Sequence, residues 1–339
     1  MESIKVAAAP GTAARRATIV DVATAAGVSK QTVTRAMNNM PGIKAETRDR
    51  IQQLAKDLGY VPSRFAKGLA QGAQISVGLA IPGLTNPYFP AFIASVVEHA
   101  TGLGWQVVIS DYVDKAVGPV SAVSQLAPQV DAVIGYLGNE TGASQEILGR
   151  RPLVLLDLTS SNSAGQVSFD YAHAASLALD HLAGQGRRHI TYLDYVRDGG
   201  LSVRGQAFAR RAGEMGMSTT FLNCADSAAS ARETIAGFLA GGNRPEAIVT
   251  FNDLMAAGTM KALTAAGRSI PGDCAVIGMD GIAMGELLTP ELTTLALDLR
   301  EVGAVAVRLV ERLLAGELSP AGDDSRVVLK HQLIVRESA

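Results

Sequence analysis

Residues Thr18–Asn39 read TIVDVATAAGVSKQTVTRAMNN. The spacing predicts a short helix, a turn at Gly27 and a second short helix. Thr18 with Asp21 fits the Ser/Thr-x-x-Asp/Glu capping box, ahead of an apolar stripe of Ile19, Val22, Ala23 and Ala26. Ser29 is placed to cap the second helix, because its hydroxyl can accept a backbone N–H from the first turn. Val33 and Met37 continue the buried stripe, which turns Lys30, Gln31, Thr34 and Arg35 outward. A helix with that face fits a DNA major groove, where Gln and Arg pair bidentately with base edges. An ordinary helical hairpin with a solvated polar face shares the pattern, so the flanking residues weigh in the choice. Residues Thr47–Gly59 (TRDRIQQLAKDLG) read as a third helix, with Ile51, Leu54, Ala55 and Leu58 inward and Gly59 as a left-handed terminator. Tyr60-Val61-Pro62 and a short basic linker, Ser63–Ala70, follow.

Charge separates this head from the rest. Between Arg15 and Ala70 there are ten Lys/Arg and four Asp/Glu, a net +6, so within an overall −2 the chain from Gln71 onward carries −8. A basic head attracts phosphates, and an acidic body discourages wrapping along the duplex. A length of 339 residues suits two or three domains, and a hydrophobic content of 47% supports a sizeable core. No uncharged apolar run reaches the roughly 18 residues of a membrane span. The N-terminus, MESIKVAAAPGTAARR, lacks the apolar centre of a signal peptide and reads as a flexible tail. Cys224 and Cys274 are the only cysteines, with no C-x-x-C pair, which points to a reduced, cytoplasmic compartment. His99, His173, His181, His189 and His331 lack metal-ligand spacing, so no metal and no cofactor are expected.

From Ile75 the pattern becomes α/β. Strands are predicted at 75–81, 106–111, 132–136, 153–157, 189–194, 247–251 and 275–280. Helices are predicted at 90–102, near 120–127, and at 174–185, 204–215, 228–240 and 254–266. That alternation argues for parallel sheets covered by helices on both faces, and the length argues for two of them. Ligands in such sheets bind beyond the carboxyl ends of the strands. Asn86, Tyr88 and Phe89 follow the first strand, Asp157 ends another, and Asn252 with Asp253 and Asp280 follow two more. Arg204 opens a helix after the 189–194 strand. A cation, carboxylates, an amide and flat rings suit a small polar ligand such as a sugar, whose hydroxyls pair with the first three and whose C–H face covers a ring. Each also has a plainer reading: Asp253 as a helix cap, Asn86 as a turn residue, Phe89 as core, Arg204 as a surface cation.

The chain resembles the LacI (lactose repressor/galactose repressor) family of bacterial transcription regulators. The matching strings are TIVDVATAAGVSKQTVTRAMN, TRDRIQQLAKDLGYVP and SRFAKGL, then NPYF at Asn86–Phe89, FND at Phe251–Asp253, GMD at Gly278–Asp280, LTPELTT at Leu288–Thr294 and LIVRES at Leu333–Ser338. They run in family order from about Thr18 to the end. The resemblance implies an all-α helix-turn-helix head and a two-lobed core like that of periplasmic binding proteins. The expected divisions are a tail at 1–17, the head at 18–62, a hinge helix or linker at 63–73 and the core at 74–339. The N-lobe would take about 74–169 and 298–327, and the C-lobe about 170–296 and 328–337. The chain would cross between lobes near Ser168–Asp170, Ala296–Leu299 and Arg326–Leu329, with Val327–Val335 as a closing strand.

By the same resemblance, a homodimer would bind a pseudo-palindromic operator in double-stranded DNA. Lys30, Gln31 and Arg35 would meet base edges; Thr34 and Asn38 would position the phosphate backbone. Thr18, Ser29, Thr32, Arg64 and Ala66 complete the expected DNA-binding set. Ser63–Ala70 would fold into a hinge helix on specific DNA, with Leu69 wedged into the minor groove. Gly68 lowers intrinsic helicity there by about 1 kcal/mol relative to Ala. Arg204, Asn252 and Asp280 match pocket positions of the family, with Asp157, Phe169 and Tyr88 next and Asp253 after them. Release of DNA by a sugar-like inducer is the first expectation and tightening the second. Several residues depart from the family: Lys44 where a Ser or Thr caps the third helix, Tyr171 after Asp170, Leu297 after the LTT run, Gly281 after Asp280, and Lys30 at the first base-reading position. An exported solute-binding protein would share the core but needs an export signal and no basic head. An enzyme on a doubly wound fold would need a G-x-G-x-x-G, Walker or G-x-S-x-G element, and none is present.

Overall fold

The computed structural model describes residues 19–37, 40–58, 74–112, 118–158, 164–196, 199–320 and 322–339. The expected tail, Thr18, Asn38, the Gly59 terminator and the hinge with Arg64, Ala66 and Leu69 lie outside the described residues. The chain divides into two compact units, residues 1–73 and 74–339. No helix among the described residues is long and apolar enough to cross a membrane.

The head holds α1 (Ile19–Ala26), α2 (Lys30–Met37) and α3 (Ala45–Asp57). Gly27, at φ +65°, ends α1. Its N–H donates to the Thr24 carbonyl at 3.2 Å, and that of Val28 to the Ala23 carbonyl at 3.0 Å, the paired bonds of a Schellman end. Ser29 then caps α2 by accepting the Thr32 N–H at 3.1 Å. Lys44 begins α3 with no side-chain cap, as its chemistry dictates. Val22, Ala23, Ala26, Val33, Ala36, Ile51 and Ala55 form the core, flanked by Val28, Met37, Ile43 and Leu54. Two α3 side chains fasten the other helices: Arg50 Nη2 donates to the Ala26 carbonyl at 3.0 Å and Gln52 Nε2 to the Ala36 carbonyl at 3.0 Å. Those carbonyls lie at helix C-termini, where intrahelical donors run out and a cation is favoured. Leu58, expected in the core, is 42% exposed. It is the C-cap, past the last helical residue, where the apolar periodicity no longer governs direction.

The second unit contains two six-stranded sheets. Strands β1 (Ser76–Ile81), β2 (Gln106–Asp111), β3 (Ala132–Gly135), β4 (Leu153–Leu156), β5 (Gly165–Phe169) and β11 (Arg326–Leu329) form the N-lobe sheet, in the order 2-1-3-4-5 and then 11. Strands β6 (His189–Asp194), β7 (Ser218–Asn223), β8 (Ala247–Thr250), β9 (Ala275–Asp280), β10 (Thr293–Ala296) and β12 (Gln332–Ile334) form the C-lobe sheet, in the order 7-6-8-9-10 and then 12. All neighbours are parallel except β10 with β12. Every residue of β3, β4 and β8 is buried, as strands covered on both faces must be.

The N-lobe helices are α4 (Tyr88–Gly102), α5 (Gly118–Leu126), α6 (Thr141–Leu148) and α11 (Leu299–Ala315). Those of the C-lobe are α7 (Tyr171–Gly184), α8 (Val203–Glu214), α9 (Ala228–Ala240) and α10 (Asp253–Ala265). Helix α11 returns to the N-lobe and packs on α4. Gly303 permits that approach, since a Cβ there would collide with the Ser95 hydroxyl and the Val96 backbone nitrogen. Strands β5, β7 and β10 and helices α6 and α11 go beyond the predicted elements. Strand β7 is a polar, half-exposed edge. Helix α11 is amphipathic, with Arg300, Glu301, Arg308 and Arg312 exposed opposite an apolar face, so helical spacing is available there to find it.

The chain passes between lobes at Asp170, at Leu297–Asp298 and at Lys330–His331. The third passage differs from the expected one. Arg326–Leu329 pairs in register with Gln166–Phe169, so the N-lobe sheet runs to Leu329. The supposed single closing strand breaks into β11 and β12, with the His331 ring between them. That ring lies 5.6 Å from Tyr171 and 6.2 Å from Phe169, so two of the passages touch through aromatic contacts. His331 is 1% exposed, and its Nδ1 finds no hydrogen-bond partner. Burial, helped by Arg204 and His173, pulls its pKa down to about 3. A depressed folded-state value means stability that is present above pH 6.5 and is lost as pH falls toward 3. The wild-type chain should therefore lose stability relative to His331→Gln by up to about 1.4 kcal/mol per pH unit in that window. Urea unfolding of both proteins at intervals from pH 7.5 to 4.5 checks this; a pH-independent difference would refute it.

Candidate functional site

Both sheets place their first strand between the second and third. Connections therefore leave β1 and β3 toward opposite sides, as they do β6 and β8, which opens a crevice at the carboxyl ends of the strands. The polar residues converge there. Asp157 follows β4, Tyr136 follows β3, Phe251 and Asn252 follow β8, and Asp280 closes β9. Arg204 sits in the first turn of α8. That turn is fixed by Ser202, which caps Gly205, and by Asp194, whose carboxylate accepts the Ser202 N–H at 2.9 Å and its hydroxyl at 2.6 Å.

Arg204 is the centre of the arrangement. Its Nη2 lies 3.6 Å from Asp157 Oδ2 in the N-lobe, and its Nη1 lies 3.6 Å from Asp280 Oδ1 in the C-lobe. Both distances exceed hydrogen-bonding range. Direct bonds go elsewhere, from Nε to the Tyr171 hydroxyl at 3.2 Å and from Nη1 to the Phe251 carbonyl at 2.7 Å. The guanidinium carbon stands 4.2 Å from the Phe251 ring centroid and 5.2 Å from that of Tyr171. Tyr171 also donates to Asp157 Oδ1 at 2.5 Å. Burial opposes the charge on Arg204, but Tyr171, Asp157 and Asp280 outweigh it and hold its pKa above the ordinary guanidinium value.

The carboxylates are strained and short of donors. Asp157 has φ +58° and Asp280 φ +122°, the two non-glycine residues with positive φ among those described. Such conformations cost about 1–3 kcal/mol and gather at functional sites. Burial raises both pKa values; Arg204 pulls each back, and Tyr171 lowers Asp157 further, while Asp253 and Asp226 push Asp280 up. The Asp280 side chain is 5% exposed and accepts no hydrogen bond from the described residues. Across from it stands an aromatic wall. Tyr88 and Tyr136 share a hydrogen bond at 2.7 Å, and Phe89 packs edge-on to both, at 5.3 Å and 5.4 Å between ring centroids. Asp280, Asp157 and Arg204 all bear on the Tyr88 hydroxyl, so this wall and the charged cluster face one another.

The structure brings Asp157, Arg204, Asp280, Tyr88 and Phe89 together and gives the other candidates different work. Asn86 is buried and turns the chain into α4, its Oδ1 accepting the Tyr88 N–H at 3.0 Å. Phe169 is buried among the rings at the lobe passages. Asn252 caps α10 through Oδ1 and donates from Nδ2 to Asp226 at 2.6 Å. Asp253 is neither cap nor cleft residue. Its Oδ2 accepts the N–H groups of Gly281 and Ile282, both at 2.9 Å, and its Oδ1 accepts the Thr294 hydroxyl at 2.6 Å. It braces the backbone that strains Asp280, and burial pushes its own pKa up to about 7. Gly281 fits there because it has φ +77° and Ala296 stands where a Cβ would be. Tyr136, Phe251 and Asp226 lie outside the set of site residues expected from the sequence, and Tyr171 is singled out there only as a departure from the family. Tyr136 and Phe251 sit at strand ends, where the topology rule reaches them, but Asp226 enters only through Asn252.

In the head, α2 exposes Lys30, Gln31 and Arg35 on one face, with Thr32 and Thr34 half-buried beside them and Val33 and Ala36 buried behind. The Thr34 hydroxyl donates to the Lys30 carbonyl at 3.0 Å, which commits its proton to the helix.

Residues 18–63 match the family model for bacterial regulatory proteins of the lacI family, and residues 179–339 match the periplasmic binding protein-like domain. The regulator PtxS of Pseudomonas putida is 31% identical over 338 residues, covering 97% of this chain and 98% of that protein. Catabolite control protein A of Priestia megaterium is 28% identical over 332 residues, covering 95% and 98%. Among solved structures, a LacI family transcriptional regulator from Arthrobacter sp. FB24 in complex with lactose is 52% identical, with TM-score 0.76 over 79% of this chain and 100% of that one. The lac repressor dimer bound to operator is 25% identical, with TM-score 0.71 over 96% and 99%. With matches to both head and core, and relatives that span nearly its whole length, the chain belongs to the lacI family of bacterial regulatory proteins and is a DNA-binding transcriptional regulator.

Proposed function

We propose that the crevice around Arg204 binds a small sugar and that its occupancy sets the grip of a homodimer on a pseudo-palindromic operator. The observation that carries this reading is Asp280: a buried, strained carboxylate that no group among the described residues supplies with a hydrogen-bond donor. Sugar hydroxyls would donate to it and to Asp157, and would separate the 3.6 Å pairs with Arg204 into shorter bonds. The ring of Phe89 would cover an apolar sugar face. The lactose bound by the 52% identical relative supports the ligand class, and the operator-bound lac repressor dimer supports the assembly.

Because the site takes Asp157 from one lobe and Arg204 with Asp280 from the other, filling it changes the angle between them. In the full chain that angle would set the separation of the two hinges at 63–73, where Leu69 would enter the minor groove and Arg64 and Ala66 would follow the backbone. Release of DNA is the expected direction. The coupling is reciprocal, so operator must weaken sugar binding by the same factor. Such a regulator works in the cytoplasm, at the nucleoid.

Arg35→Ala should weaken operator binding by about 1–3 kcal/mol while leaving most of the salt-sensitive affinity for unrelated duplexes. Equal losses on both, in a salt-controlled gel-shift or anisotropy titration, would argue against base reading by α2. Asp280→Ala should keep operator affinity and lose the response to lactose; a response of undiminished strength would place the ligand elsewhere.

A further inference from the structure

The ligand-facing groups of the core are unevenly matched. Asp157 and Asp280 flank a single cation, Arg204, the only one within ion-pair reach of either among the described residues, and Asp226 adds its charge to the surroundings of Asp280. Their oxygens are largely unfilled. Among the described residues, the Asp280 side chain accepts no hydrogen bond, Asp157 accepts one at Oδ1, and Asp226 accepts one from Asn252 at Oδ1. Donors are scarce by comparison. Two of the five N–H groups of Arg204 are spent on Tyr171 and Phe251, whose rings lie close to the guanidinium, and Nη2 and Nη1 stand 3.6 Å from Asp157 and Asp280.

Backbone N–H groups at helix N-termini are the other common anion receptor, and here each terminus has one of its N–H groups already taken by a side chain. Four helices begin at or beside the crevice, and each has a side-chain oxygen over its first turn. Asn86 accepts from Tyr88, Asp170 from His173, Ser202 from Gly205 and Asn252 from Met255. The remaining pair of adjacent N–H groups, on Gly281 and Ile282, is filled by Asp253. Among the described residues, an anion entering this crevice would meet Asp157 and Asp280 beside one cation that is already partly committed.

We propose that the site selects by charge, accepting uncharged, hydroxyl-rich ligands and rejecting their carboxylated or phosphorylated derivatives. This deepens the sugar-binding reading above and rests on it. Asp157 on the N-lobe and Asp280 on the C-lobe make the rejection strongest in the closed form, where both stand against the ligand.

The test uses the full-length protein and matched pairs of probes at constant ionic strength: lactose with lactobionate, galactose with galacturonate, and glucose with glucose 6-phosphate. The methyl ester of galacturonate serves as a neutral control of the same shape. Affinities come from titration calorimetry and from release of operator DNA. The neutral member of any pair that binds should exceed its anion by about a hundredfold, with the ester restored toward the neutral parent. An anion that binds within tenfold of its parent, or that binds where the parent does not, overturns charge selection and leaves the sugar site standing. If no member of any pair binds, the sugar reading itself falls, and charge selection falls with it.

Discussion

A guanidinium cannot shed its charge, and Arg204 holds one out of water between two lobes. Such a group has to be met on every side. Here Asp157 and Asp280 flank it, the Phe251 carbonyl and the Tyr171 hydroxyl accept from it, and two rings lie close to it. Those partners come from both sheets and from the first lobe passage, so one side chain dictates where several elements must end. Losing one member of a buried charge set of this kind costs about 3–5 kcal/mol, more than most ligand contacts contribute. Arg204 is therefore part of the architecture before it is part of any complex. The two 3.6 Å separations show where that architecture stops short. Charge is balanced across those gaps, but hydrogen bonding is not.

The head solves a different problem, that of presenting a polar helix face with very little core behind it. Ala23, Ala26, Ala36 and Ala55 let the three helices approach closely, and Val22, Val33 and Ile51 fill what remains. Backbone chemistry does much of the rest. The Gly27 turn and the Ser29 cap define where α1 stops and α2 begins, and Arg50 and Gln52 of α3 bind the carbonyl ends of both. Two polar residues of α3 thus act in place of apolar bulk, leaving Lys30, Gln31 and Arg35 facing out.

Much of this was legible beforehand, for physical reasons that also mark the limits. Helices α1 to α3 advertise themselves by apolar spacing and cap residues, and β6, β8 and β9 by short β-branched runs. Strand β7 hides because an edge strand keeps polar residues, whereas α11 carries a clear helical period and lies past the last of the predicted elements. At the site, Asp157, Arg204 and Asp280 could be found from their place after strands. What strand position cannot reveal is which oxygen a buried carboxylate spends on the backbone. Asn252 and Asp253 stand at the same kind of strand end, yet both turn inward to hold α10 and the loop after Asp280. Tyr171 stood out as a departure from the family, but its bond to Asp157 needs two segments of chain, 14 residues apart, brought onto one guanidinium. The third lobe passage lies a few residues beyond the place the family resemblance implies, because Lys330-His331-Gln332 interrupts the expected closing strand and the two halves pair in different sheets.

Three separate lengths of chain run between the lobes, at Asp170, at Leu297–Asp298 and at Lys330–His331. A single tether would let two bodies swivel, twist and slide. Three of them, two joined by the Phe169, Tyr171 and His331 rings, remove most of those degrees of freedom and leave one soft coordinate. Energy taken up from a bound molecule then has few modes in which to dissipate. A protein tied in this way acts as a lever with one axis, and the same triple seam that restrains it makes its movement repeatable from one molecule to the next.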